Sequence, residues 1–183
     1  AYMKNEGVDE VDNWNYIHNI NYLINNCVHD GRYNEALYYA EKLKYMKVDN
    51  ARKKTYDGTF FNQSTLEPAK MEMAFGNCDN AIKQLEKVTN KDSAYSFARM
   101  EFKNCLTVFA KGMDALDKNN VSNAIQFSNN LDALLWRNEK QMGKDSSLRG
   151  YENTLNTASL ELQGCIASYH GNYENAMLLL EKA

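Results

Sequence analysis

Apolar positions recur along this chain at helical spacing, and the pattern occurs four times. In HDGRYNEALYYAEKL (29–43) a glycine is followed five residues later by Ala36, then Leu37, and two helical turns on by Leu43. The same layout returns in GNCDNAIKQLEKV (76–88), NNVSNAIQFSNNL (119–131) and GNYENAMLLLEKA (171–183). Aligned on the small residue, the marker alanines are Ala36, Ala81, Ala124 and Ala176, each followed by Leu, Ile, Ile or Met. Five residues earlier stand Gly31, Gly76, Asn119 and Gly171, residue types that suit the left-handed conformation ending a helix. Three residues earlier stand Tyr33, Cys78, Val121 and Tyr173, which open the next helix. Seven residues after the alanine come Leu43, Val88, Leu131 and Ala183, on the same helical stripe.

Upstream of each glycine or asparagine runs another amphipathic segment. Twelve residues before the alanine it places Ile24, Ala69, Gly112 and Gly164, and small residues facing small residues let two helices approach closely. The patterning predicts helices near 13–30, 33–48, 65–75, 78–90, 93–118, 120–141, 147–170 and 173–183. These form about four antiparallel helix pairs with no sheet. The polar breaks NKDS (90–93) and GKDSS (143–147) read as turns between units, and 45–68 as the least regular connection. A polar N-terminal extension occupies 1–12, and 13–183 counts as one repeat domain.

Gly, Tyr and Ala in GRYNEAL and GNYENAM, with small residues twelve before the alanine, resemble tetratricopeptide repeats. YIHNINYLINNCVHDGRYNEAL (16–37) is closer still to one bacterial family of such proteins, whose repeat opens with a His-Asn pair. The resemblance covers roughly Asn13 to Ala183 and implies an all-α superhelical stack. There are departures. Alanine-to-alanine intervals are 81 − 36 = 45, 124 − 81 = 43 and 176 − 124 = 52 residues, against roughly 34 in the standard repeat. The proline expected after the second helix is missing in every unit, as is the first-helix tryptophan unless Trp14 or Trp136 stands in out of register.

Composition agrees with a helical chain. Of 183 residues, 44% are apolar and 25% charged, and Pro68 is the single proline. A net charge of −3 provides no field for holding phosphates, and Arg52, Lys53 and Lys54 are too short a basic cluster to bind nucleic acid. No apolar run reaches the length of a membrane span. The acidic, polar start AYMKNEGVDEVDN is not a signal or transit peptide. Without an initiator Met, the chain reads as a processed or excised segment. The four cysteines Cys27, Cys78, Cys105 and Cys165 form no CxxC pair and read as small buried apolar residues, which leans towards a reducing cytoplasm without excluding an exported parent.

In a stack of this kind the first helices line the concave surface. Their candidate groove residues are His18, Asn21, Asn25 and His29 in the first unit, then Lys70 and Met73 in the second. Phe109 and Met113 follow in the third, and Glu161, Cys165 and Tyr169 in the fourth. An asparagine offers a donor and an acceptor together, which pairs with a peptide backbone without reading its side chains. The competing expectation is that Asn reflects composition, and that Phe109 and Met113 belong to the core. His18 and His29 stand about 16 Å apart along a helix, too far to share an ion. Cys165 and His170 diverge, so no metal or cofactor is expected. GxGxxG, GxxxxGK and GxSxG are absent, and an enzyme would need a pocket of convergent titratable groups.

The expected function is a scaffold whose concave groove binds a peptide or a segment of a partner protein, with no nucleic acid and no membrane insertion. The alternative is a structural segment of a larger repeat protein with no ligand of its own.

Overall fold

The computed structural model describes residues 14–44, 61–89, 97–142 and 149–183. The N-terminal extension, the basic cluster at 52–54 and the NKDS and GKDSS turns lie outside the described residues. The fold is all-α, and among the described residues there is no strand. The helices are α1 (Trp14–His29), α2 (Tyr33–Lys44), α3 (Glu67–Ala74), α4 (Cys78–Glu86), α5 (Phe97–Asp117), α6 (Val121–Met142), α7 (Arg149–Tyr169) and α8 (Tyr173–Lys182). These are the eight expected helices. A π-helical turn, Phe61–Thr65, was not expected and precedes α3.

The recurrent glycine is explained by its backbone. Gly31, Gly76 and Gly171 have φ of 72°, 75° and 74°, and Asn119 reaches 57°. A residue with a Cβ pays roughly 1–2 kcal/mol in that region, asparagine being among the more tolerant. At each of the four the same pair of backbone bonds closes the preceding helix. At the first, Gly31 N–H donates to Val28 O at 3.0 Å and Arg32 N–H to Cys27 O at 2.7 Å. At the third, Asn119 N–H reaches Leu116 O at 2.9 Å and Asn120 N–H reaches Ala115 O at 2.7 Å. These satisfy the carbonyls that a helix end leaves open. The following helices α6 and α8 are then capped by asparagine: Asn120 Oδ1 accepts from Asn123 N–H, and Asn172 Oδ1 from Asn175 N–H. The marker alanines Ala36, Ala81, Ala124 and Ala176 are all buried, and so are Ile24, Ala69, Gly112 and Gly164 twelve residues earlier.

The helices gather into two compact units, Ala1–Gln84 and Leu85–Ala183. In the first, α1 packs on α2 and α2 on α3, with the π-helical turn against all three. Its core joins Ile17, Ile20, Ile24 and Cys27 of α1 to Ala36, Ala40 and Leu43 of α2 and Met71 of α3. Burying each Ile or Leu contributes about 1.5–3 kcal/mol before the entropy of ordering is subtracted.

In the second unit α5 packs on α6 and α7, α6 on α7, and α7 on α8. Phe102, Cys105, Leu106 and Phe109 of α5 are buried with Leu131 of α6 and Leu155 and Leu162 of α7. Phe102 stacks on Tyr151, with ring centroids 4.2 Å apart. Gly112 does not chiefly meet the second helix of its own pair. Its missing Cβ leaves room for Leu162 of α7, whose Cδ2 would lie 2.6 Å from that atom. Gly164 does face its own second helix, with Leu180 Cγ at 2.8 Å and Ala176 O at 3.4 Å from the same construction.

Candidate functional site

The expected groove residues divide by burial. On α1, Asn25 and His29 are exposed, while His18 is half-buried and meets Tyr22 edge-on, with centroids 4.5 Å apart. Asn21 is only 8% exposed, so the four do not form one open face. The cause is the π-helical turn. Asn21 Nδ2 donates to Ile17 O at 3.0 Å and to Gln63 O at 3.3 Å, so the amide holds a peptide carbonyl of this same chain. Ser64 Oγ fixes the turn further by donating to Leu43 O.

On α3, Lys70 is half-buried and ion-paired with Glu67 at 2.6 Å, and Met73 is half-buried. In the second unit Phe109 is 8% exposed, a core residue rather than a surface contact, because both α6 and α7 cover α5. Met113 is half-buried, as are Glu161 and Cys165. Tyr169 is exposed, and its hydroxyl donates to Asn119 Oδ1 at 3.1 Å. Burial raises the Glu161 carboxyl above its ordinary range. The Cys165 thiol is raised by burial and by the charges of Glu161 and Asp117. Burial pushes the Cys105 thiol up to about 12, with Glu101 adding to the shift, so it is a packing group and not a nucleophile.

One cleft of the second unit is lined by none of the expected groove residues. An open cleft of about 310 Å³ lies among α6, α7 and α8. Its apolar lining is Ile125 of α6, Ile166 and Ala167 of α7 and Leu179 of α8. Its polar lining is mostly amide: Asn129 of α6, Gln163 of α7, and Asn172 and Asn175 on the approach to and first turn of α8, with Ser128 and His170. No carboxylate, lysine or arginine lines it.

The amides are in different states of engagement. Gln163 Nε2 is committed to Asp132 at 3.2 Å and to Ser159 Oγ at 3.0 Å. Asn172 uses its oxygen for the α8 cap. The side chains of Asn129 and Asn175 are exposed and make no hydrogen bond to the described residues. Two exposed amides beside an apolar floor offer paired donors and acceptors with a seat for one hydrophobic side chain.

Spacing within one helix could not reveal this cleft, since its amides come from three helices. The one local signal was the Asn172-x-x-Asn175 pair, which reads equally as a helix cap. Among the described residues no group of three or more His, Cys, Asp or Glu could hold a metal ion. No described helix is long and apolar enough to cross a membrane. No protein-family model, no curated protein and no solved structure matches this chain.

Proposed function

We propose that this chain is a helical-repeat scaffold of the tetratricopeptide type that binds an extended peptide segment of another protein. The seat is the α6–α7–α8 cleft. The repeat reading rests on four equivalent left-handed residues and four buried marker alanines. The peptide reading rests on one observation: Asn129 and Asn175 present exposed amides, unbonded among the described residues, beside the floor of Ile125, Ile166 and Leu179. An amide recognises the N–H and C=O of an extended backbone, while the floor takes an apolar side chain. With no fixed charge in the lining, recognition does not depend on a charged ligand.

The test is selection of peptides from a random displayed library on the whole chain, followed by affinity measurement on Asn129→Ala/Asn175→Ala. Two lost hydrogen bonds correspond to a weakening on the order of tenfold or more. Equal affinity for both proteins would refute the assignment.

A second reading has its own observation. On α1 the Asn21 amide already holds Gln63 O of the same chain. That one position of the surface expected to bind a partner is filled from within, which favours a structural role for Asn21.

A further inference from the structure

Two of the cleft's amides are engaged with groups that fix which of their ends is left over. Asp132 of α6, as a carboxylate, only accepts. Ser159 of α7, 5% exposed, donates its hydroxyl to Asp132 at 2.6 Å, and that spends its one proton. Toward Gln163 both neighbours are therefore acceptors. Gln163 turns Nε2 to them, at 3.2 Å from each Asp132 oxygen and 3.0 Å from Ser159 Oγ. Its Oε1 is left without a partner among the described residues, on a half-buried side chain that lines the cleft. Asn172 is the opposite case. The Asn175 N–H only donates, so Asn172 gives it Oδ1 at 3.3 Å and is left with Nδ2.

Neither amide can reverse without loss. A reversed Gln163 would set its carbonyl against the Asp132 carboxylate, and a reversed Asn172 would set NH2 against N–H. Asn129 and Asn175, unbonded among the described residues, turn either end to a ligand. We infer that Gln163 is a specificity-determining residue of the cleft, held by Asp132 as a positioning residue, so that the cleft requires an N–H donor at Gln163 and refuses an acceptor there. Asp132 itself does not line the cleft.

The inference rests on the peptide-binding reading of this cleft and adds a polarity to it. A backbone N–H of an extended segment meets the requirement. A ligand carboxylate does not, since it would face Oε1 with the charge of Asp132 behind it. The peptides recognised therefore carry no Asp or Glu side chain, and no chain-ending carboxylate, at that place.

The probe is the tightest peptide selected from a random displayed library on the whole chain, synthesised with each backbone amide in turn replaced by an ester. An ester removes one N–H and puts an acceptor oxygen in its place, leaving every side chain unchanged. On the parent chain one such ester should weaken binding on the order of tenfold or more. On Asp132→Asn, whose side chain can pair with either end of Gln163, the same ester should cost about threefold or less. Gln163→Leu, with no acceptor to lose, should remove the penalty as well. A merely structural role for Asp132 would weaken the amide and ester peptides alike and leave their ratio unchanged. No ester with such a penalty, or a penalty that survives in either variant while the peptide still shifts the Ile125, Ile166 and Leu179 methyl groups, would overturn this inference alone. A peptide that leaves those methyl groups unmoved would overturn the peptide-binding reading and this inference together.

Discussion

Leu162 occupies the space that a side chain on Gly112 would fill: its Cδ2 would lie 2.6 Å from a Cβ there. Leu162 is fully buried. The comparable neighbour of Gly164 is Leu180, which is 45% exposed and can swing outward. The same repeat position therefore differs in tolerance from one helix pair to the next. Gly112→Ala should cost about 1–3 kcal/mol through overpacking. Gly164→Ala should cost less, since a half-exposed side chain can relax. Urea denaturation of the two variants measures the difference, and a larger cost at Gly164 would count against this packing.

The left-handed turn residues allow a test that involves no packing. A Cβ on Gly171 meets nothing within 4 Å, so only the backbone conformation at φ 74° resists it. Gly171→Ala should cost about 1–2 kcal/mol. Asn119→Gly should be close to neutral, because relief of the backbone at φ 57° offsets loss of the acceptor used by Tyr169. The two chemical midpoints, measured side by side, check this.

Asn21 and Asn25 lie four residues apart on α1 and should behave differently. Asn21→Ala removes two donor contacts from a buried site and leaves backbone carbonyls without that partner, at about 1–3 kcal/mol. Asn25→Ala, at an exposed position, should stay within about 0.5 kcal/mol. Thermal melts of the two variants decide it. An Asn21→Ala variant as stable as its parent would show that the π-helical turn does not depend on that amide.

Glu161 makes a pH-dependent prediction. Its folded carboxyl is held above the ordinary 4.5 by burial, so folding favours its protonated form. The contribution is therefore fully present below about pH 4.5 and is lost as pH rises through the raised folded value. Glu161→Gln should stabilise the chain at pH 7 and give no gain at pH 4. Melting temperatures at the two pH values provide the check.

Thiol accessibility should follow burial. Cys27, Cys78 and Cys105 are buried and Cys165 is half-buried. At pH 8 a thiol-exchange reagent should modify Cys165 first, and slowly, because its thiol is also shifted upward. Cys105, pushed up to about 12, should react only after unfolding. Mass spectrometry of partly modified protein identifies the order.

The helical pairs were legible because their signals are local. A left-handed φ selects glycine or asparagine wherever it falls, and a close helix crossing selects alanine or glycine one face at a time. These requirements appear at Gly31, Gly76, Asn119 and Gly171 and at the four marker alanines, independently of what lies elsewhere in the chain. The exposed faces were less legible. Asn21 is closed off by Gln63, forty-two residues away, through a π-helical turn with no periodicity of its own. Phe109 is interior because two later helices cover α5. The cleft escaped notice for the same reason: Asn129, Gln163 and Asn175 converge only when α6, α7 and α8 pack, and in a chain rich in asparagine none stands out.

The most direct test of the peptide-binding assignment is methyl NMR of the whole chain, with Ile and Leu labelled, titrated with the tightest library-selected peptide. The cleft predicts progressive shifts at Ile125, Ile166 and Leu179 that saturate at the affinity measured independently, and that are lost in Asn129→Ala/Asn175→Ala. Saturable binding that leaves those three methyl groups unmoved would contradict it.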